Sequence, residues 1–148
     1  IGRKKVAEAN LSDVIDFVVG DCLNLPFDND QYDCITVAYG VRNFEHLDQG
    51  YREMYRVLKP GGVLCVIELS TPTSPIVKPF YKLYTRCIIP FVGRLVSKDV
   101  RAYSYLPESI AAVPQGNDML QLMREAGFNS CHYKRLTFGT CTIYMAIK

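Results

Sequence analysis

The sequence contains no tryptophan and only two histidines. Its six cysteines, Cys22, Cys34, Cys65, Cys87, Cys131 and Cys141, include no pair at Cys-x-x-Cys spacing. With so few imidazoles and no paired thiols, no metal site is expected. No apolar run approaches the roughly 18 residues that a bilayer-spanning helix requires. The cluster Cys87-Ile88-Ile89-Pro90-Phe91-Val92 is short and is cut by its proline. Neither sign of charge is in excess, since 17 basic and 15 acidic residues leave +2. That balance argues against a broad nucleic-acid surface, and no nucleic-acid partner is expected. Internal repeats and low-complexity linkers are also absent. What remains is ordinary globular usage, 49% apolar and 22% charged, which excludes disordered and collagen-like chains. At 148 residues, one domain with a real core is the expectation. Cys34, Cys65 and Cys141 fall in strand-like runs and are expected to be buried free thiols of a reducing compartment.

The apolar pattern alternates between strand and helix. Asp16-Phe17-Val18-Val19, ending at Gly20-Asp21, predicts a strand, and the turn formers from Leu25 to Asp30 predict a loop. Tyr32 to Tyr39 is strongly β-prone and apolar on both faces, which fits a buried parallel strand. Leu47, Tyr51, Met54, Tyr55 and Leu58 share one helical face, predicting a helix over about Asp48 to Leu58. Asp48 is its expected cap and Lys59-Pro60-Gly61-Gly62 its expected stop. Val63 to Leu69 is a third strand, so strand, helix and strand imply a right-handed parallel crossover. Residues 71–107, rich in proline, tyrosine and phenylalanine, read as one or two inserted helices. Asn117 to Ala126 is a further helix, capped by Asn117 and closed by Gly127. Phe128 to Leu136 and Thr140 to Ile147 predict a hairpin around Gly139. The fold class is therefore α/β, with an open, mostly parallel sheet and an antiparallel ending. Ligands of such sheets sit at the carboxyl ends of the strands, here Gly20-Asp21-Cys22, Ala38 to Asn43 and Glu68-Leu69-Ser70.

Several stretches together resemble the ubiquinone/menaquinone-biosynthesis C-methyltransferases. They are Gly20-Asp21-Cys22-Leu23-Asn24-Leu25-Pro26-Phe27, Gly40-Val41-Arg42-Asn43, the run from Arg56-Val57-Leu58-Lys59-Pro60-Gly61-Gly62 to Ser70, and Tyr103-Ser104-Tyr105-Leu106-Pro107-Glu108-Ser109-Ile110. The resemblance runs from about Ala7 to the end, with the Arg-Asn pair and the Tyr-x-Tyr-Leu stretch as its most specific parts. It implies a Rossmann-like class I methyltransferase sheet lacking its first two strands, with a helical insertion and a C-terminal antiparallel hairpin. Residues 1–148 would then be the C-terminal portion of a single methyltransferase domain, and 71–107 an insertion covering the substrate pocket. The glycine-rich loop for the methionine part of S-adenosylmethionine is not in this sequence, so weak or no cofactor affinity is expected of the chain alone. The missing strands would lie between the Phe17 and Ile35 strands, which leaves the Phe17 strand in need of another partner, such as a second copy of the chain.

The implied activity is S-adenosylmethionine-dependent C-methylation of an isoprenylated hydroquinone in quinone biosynthesis, without a metal. On that reading the Asp21 carboxylate accepts from the adenine amine and the Cys22 backbone N–H donates to a ring nitrogen. The alternative for Asp21 is a turn cap on Leu23 to Leu25. Ala38, Tyr39 and Gly40 would line the cofactor through backbone groups. Arg42 and Asn43 are the implied catalytic pair. Arg42 cannot be a base at neutral pH, but it can stabilise a phenolate or hold a water that takes the proton, while Asn43 orients the quinol oxygen. A loop that merely caps the next helix is the alternative, and His46 is a rival base. Tyr81, Tyr103 and Tyr105, with Tyr84 and Phe91, can wall an apolar substrate pocket or simply pack helices on the sheet. Lys78, Lys82, Arg86, Arg94, Lys98 and Arg101 can rest on an anionic membrane surface or form a solvated face. Glu68 is read as a structural group at a strand end, and His132 as an exposed strand residue. A cytoplasmic location is expected, peripheral at the inner membrane, with the mitochondrial matrix as the eukaryotic counterpart. Two other readings stand beside this one: a related methyltransferase acting on another small molecule, and a non-catalytic, self-associating module.

Overall fold

The computed structural model describes residues 1–88 and 100–148, without the side chains of residue 86 and residues 100–104. The expectations placed on Phe91, Arg94 and Lys98, and on the side chains of Arg86, Arg101 and Tyr103, lie outside the described residues. Four strands form one sheet: β1 (Tyr32–Ala38), β2 (Leu58–Leu69), β3 (Asn129–Leu136) and β4 (Cys141–Ile147), in the order β1-β2-β4-β3. β1 runs parallel to β2, with Ile35 opposite Leu64 and Val37 opposite Val66. β2 is antiparallel to β4, Val66 facing Tyr144, and β4 is antiparallel to β3 through the expected hairpin, whose Thr137–Gly139 turn is a single 3₁₀ turn. The helices are α1 (Gly2–Glu8), α2 (Leu47–Val57), α3 (Val77–Leu83), α4 (Val100–Ala112) and α5 (Asn117–Glu125). A π-helical turn, Tyr84–Ile88, continues α3.

Strand periodicity sorts the residues of β2 and β4 onto two faces. Leu64, Val66, Glu68, Tyr144 and Ala146 are buried on one face beneath α2 and α5. From α2 come Tyr51 and Met54, from α5 Met119, Leu120 and Met123. Tyr51 is fully buried, its hydroxyl donates to Met119 Sδ at 3.0 Å, and burial pushes its pKa far above the ordinary tyrosine value.

Several expectations need correction. Asp16 to Val19 is not a strand. It has no ladder partner among the described residues, and Val18 and Val19 are exposed. β propensity alone does not make a strand, because backbone groups without a neighbouring strand stay with water. β1 is parallel as expected but lies at the sheet edge, so Asp33, Cys34, Thr36 and Ala38 are exposed rather than buried. Of the three thiols expected to be buried, only Cys141 is; all three project from the face not covered by α2 and α5, and Cys141 is buried at the end of that face, opposite Leu69 and against the Tyr39 hydroxyl. α2 begins at Leu47, so Asp48 sits inside its first turn and pairs with Arg52 instead of capping, and His46 takes the cap position without a side-chain bond. The Lys59 to Gly62 stretch belongs to β2, which starts immediately after α2. A Cβ at Gly62 would meet the Lys59 carbonyl oxygen at 2.8 Å, so the tight α2–β2 junction needs glycine there. Gly116, at φ +61°, occupies the cap position of α5 in place of Asn117.

Candidate functional site

Parallel β1 and β2 send their carboxyl ends to the same side of the sheet, and the backbone after each bends over that edge. Tyr39 follows β1 at φ +55°, a conformation costly for a residue with a Cβ. Gly40 and the 3₁₀ turn Val41–Asn43 come next, then α2. Val41 is buried in the core and anchors this turn. The neighbours of Val41 are thereby presented at the strand end.

Arg42 does not extend into solvent. Its Nη1 donates to Glu68 Oε1 at 2.7 Å and to the Tyr39 carbonyl at 2.6 Å. Its backbone N–H donates to Glu68 Oε2 at 3.2 Å. Glu68, at the end of β2, is 1% exposed, and its Oε1 also accepts the Leu69 N–H at 2.9 Å. The Arg42 Nε is buried without a partner among the described residues. Asn43 is exposed, and its Oδ1 accepts the Tyr105 hydroxyl of α4 at 3.2 Å. The Tyr39 hydroxyl lies 3.9 Å from Cys141 Sγ, and this contact, reinforced by nearby negative charge, raises the Tyr39 pKa.

The Asp21 loop lies beside α2. Gln49, in the first turn of α2, donates to the Leu23 carbonyl at 2.9 Å. Glu53 accepts the Leu25 N–H at 2.8 Å, and Arg56 donates to the carbonyls of Leu25 and Phe27. The loop therefore runs parallel to α2, and Asp21 lies toward the helix start, on the side of the sheet where β1 ends. Asp21 Oδ1 accepts the Leu23 N–H at 2.9 Å, the turn-capping bond weighed above. The Cys22 N–H donates to no other backbone group among the described residues. Burial and the adjacent Asp21 raise the Cys22 thiol pKa.

Next to the Arg42–Asn43 turn is an apolar cavity of about 300 Å³, between the ends of β2 and β4 and helices α3 and α4. Leu69, Thr140, Tyr81, Tyr84, Leu106 and Ile110 are among its lining residues. Leu69 follows Glu68 in β2 and Leu106 follows Tyr105 in α4, so the cavity and the polar cluster lie at the same end of the sheet, although Arg42, Asn43, Glu68 and Tyr105 are not among the lining residues. Tyr81 lines the cavity, and burial raises its pKa. Tyr105 does not line it; it spans to Asn43 instead. His46 is exposed at the start of α2, and His132 is exposed in β3 with its Nδ1 against the Ser130 carbonyl. Among the described residues, no three His, Cys, Asp or Glu side chains gather as metal ligands. The grip of Glu68 on Arg42 was not foreseen. Its signal in the sequence is a lone carboxylate on the inward-facing phase of the apolar run Val63 to Leu69.

Over residues 1–148 the chain matches the ubiE/COQ5 methyltransferase family. It is 49% identical to the demethylmenaquinone methyltransferase of Bacteroides fragilis and 46% identical to that of Porphyromonas gingivalis, each over the whole chain. It is 39% identical to the ubiquinone/menaquinone biosynthesis C-methyltransferase UbiE of Pseudomonas paraeruginosa. The chain spans 60% of the length of the first two relatives and 58% of the third. Among solved structures, it superposes on a SAM-dependent methyltransferase from Thermotoga maritima with a TM-score of 0.64 at 18% identity, over 98% of this chain and 70% of that one. A SAM-dependent methyltransferase from Aquifex aeolicus gives 0.65 at 14%, over 98% and 60%. At such identities the likeness concerns the fold, which is the class I methyltransferase fold anticipated from the resemblance.

Proposed function

The chain belongs to the ubiE/COQ5 methyltransferase family, and from that premise we propose that it forms the quinol-facing part of an S-adenosylmethionine-dependent C-methyltransferase acting on an isoprenylated hydroquinone, a demethylmenaquinol or a ubiquinol precursor. The observation that carries this reading is that α4 joins the two halves of the site, Tyr105 bonding to Asn43 while Leu106 lines the apolar cavity at the same end of the sheet. A hydroquinone needs polar contacts at its ring oxygens and an apolar channel for its tail, and this end of the sheet offers both.

The residues present fit part of a methyl-donor site. Asp21 keeps one carboxylate oxygen clear of its turn bond for the adenine amine, and the Cys22 N–H is available to a ring nitrogen. Ala38, Tyr39 and Gly40 offer backbone along the end of β1. When bound, the sulfonium supplies the methyl group that the ring carbon attacks. The ring carbon becomes more nucleophilic as the phenolic proton leaves. Arg42 stabilises the phenolate, or the water that takes the proton, through Nη2, which makes no hydrogen bond among the described residues. Asn43, its oxygen fixed by Tyr105, is left with an amide N–H that can orient the quinol oxygen. Tyr81 and its neighbours enclose the start of the tail, with Tyr84, Thr85, Leu106 and Pro107 of the 71–107 insertion lining the pocket. Tyr103 is assigned to the same pocket by the resemblance alone.

Two further parts of the proposal concern surfaces. Ile76, Phe80, Leu83 and Tyr84 form an exposed apolar stripe on α3, beside the cavity-lining Tyr81, with Lys78 and Lys82 exposed on the same helix. Such a helix can lie on an anionic bilayer, the solvent of an isoprenylated substrate. Among the described residues no helix is long and apolar enough to cross a membrane. Because the chain has no tryptophan, Phe80→Trp creates a single fluorescent reporter. Its emission is expected to shift to the blue with phosphatidylglycerol vesicles, and an unchanged spectrum opposes membrane contact. The exposed Val14, Val18 and Val19 and the free edge of β1 support self-association of the isolated chain, which sedimentation measures directly.

The central test extends the chain to the length of its relatives and follows labelled methyl transfer to isoprenylated quinols, short-chain quinols and simple phenols. Transfer to the isoprenylated quinol alone is expected. Transfer only to another phenol favours a related methyltransferase. Calorimetry of the 148-residue chain with S-adenosylmethionine is expected to show weak or no binding, and micromolar affinity would contradict the assignment of an incomplete donor site.

A further inference from the structure

We infer that Glu68 is a positioning residue that aims Arg42 at the quinol oxygen, an inference that rests on the proposed role of Arg42. Glu68 is a carboxylate in the buried phase of β2, 1% exposed, where its neighbours on the same face are Leu64 and Val66. A carboxylate is costly there unless its oxygens are occupied. Both are: Oε1 receives Arg42 Nη1 at 2.7 Å and the Leu69 N–H at 2.9 Å, and Oε2 receives the Arg42 backbone N–H at 3.2 Å. One rigid strand residue thus holds its partner at two points, main chain and guanidinium. With the loop backbone and the side-chain tip both tied to β2, the side chain has little freedom left between them.

The form of the grip separates positioning from simple pairing. Arginine–carboxylate pairs are frequently bidentate, with two parallel bonds from two guanidinium nitrogens. Here Glu68 and the Tyr39 carbonyl both take Nη1. Nε is left buried and without a partner. An orphaned buried donor is disfavoured unless something else uses it. The Tyr39 carbonyl that completes the grip belongs to a residue at φ +55°, so the backbone itself is strained to supply the second acceptor. Glu68 and Tyr39 together occupy Nη1 and leave Nη2, which makes no hydrogen bond among the described residues, for an oxygen acceptor.

The test uses the chain extended to family length and a mutant cycle on steady-state transfer to an isoprenylated quinol. Glu68→Gln is expected to lower kcat on the order of 100-fold while the KM for S-adenosylmethionine stays within about twofold, since a misplacement of about 1 Å costs that much. Arg42→Ala is expected to lose at least as much. The double variant is expected to be no slower than Arg42→Ala alone, because Glu68 acts only through Arg42. Glu68→Asp, which keeps the charge with a shorter reach, is expected to fall between wild type and Glu68→Gln. Losses that multiply in the double variant, or wild-type turnover by Glu68→Gln beside an impaired Arg42→Ala, would overturn the inference and leave the role of Arg42 standing. Failure of both Glu68 variants to fold, seen by thermal melting, would make Glu68 a structural group and also overturn it. Wild-type turnover by Arg42→Ala would instead remove the proposed function of Arg42, a different result from either.

Discussion

The two faces of the sheet are built from the same strands and nearly the same kinds of residue, yet they end in different surroundings. Leu64, Val66, Tyr144 and Ala146 lie beneath α2 and α5 and are buried. Their immediate neighbours Val63, Cys65, Ile67 and Ile143 are only partly buried, and Met145 and Ile147 are exposed. Hydrophobicity does not separate the two sets. What separates them is whether α2 and α5 lie over them. The Arg42–Glu68 pair belongs to the covered face, so the polar half of the candidate site is held by the rigid part of the molecule.

This contrast can be broken at single residues. Leu64→Ala on the covered face is expected to cost about 2–5 kcal/mol in urea unfolding, through lost transfer energy and a cavity beneath α2 and α5. Cys65→Ala, one residue away on the open face, is expected to stay within about 1 kcal/mol. Equal losses at the two positions would mean that the open face is covered in solution. Gly127→Ala tests the exit of α5, where φ is +110° and a Cβ would meet the Tyr55 ring at 3.0 Å. A loss of about 1–2 kcal/mol is expected, measured by thermal melting.

A smaller effect, with its own pH signature, is expected on the α2 side. The Arg56 guanidinium bonds to both oxygens of Glu53 and lowers the Glu53 pKa below the ordinary carboxylate value. A folded-state pKa below the unfolded one adds stability above the unfolded value and loses it as pH falls through the folded one. Glu53→Gln should therefore lower the melting temperature at pH 7. The difference from wild type should narrow as pH drops below about 4.3. A pH-independent difference would assign the effect to packing of the Asp21 loop alone. Smallest of all, Met145→Lys on the open face should change stability by about 0.5 kcal/mol or less while reducing self-association in sedimentation. Unchanged association would leave the free edge of β1 as the contact.

Much of the fold was legible because it depends on local pattern. The period of Leu47, Tyr51, Met54 and Tyr55 announced α2, and the apolar run Val63 to Leu69 announced the core of β2. The hairpin was readable from its alternation around Gly139. Cap assignments failed by one or two residues, since the caps are His46 and Gly116, which leaves Asp48 and Asn117 in the first turns. Asp16 to Val19 failed for a larger reason: strand formation there requires a neighbour that local pattern cannot supply. In the site, the types and positions of Arg42 and Asn43 were legible, whereas their partners were not. Glu68 is 26 residues from Arg42, and Tyr105 is 62 residues from Asn43.

By itself, the order of residues determined the class of fold, the family and the three loops that meet at the strand ends, because hydrophobic period and short motifs are local properties. Only the tertiary structure decided which face of each strand is covered, that β1 is an edge, and that Glu68 grips Arg42 through Nη1 and its backbone N–H. Those outcomes depend on contacts between distant segments, where burial and hydrogen bonding are settled jointly by every element that packs together.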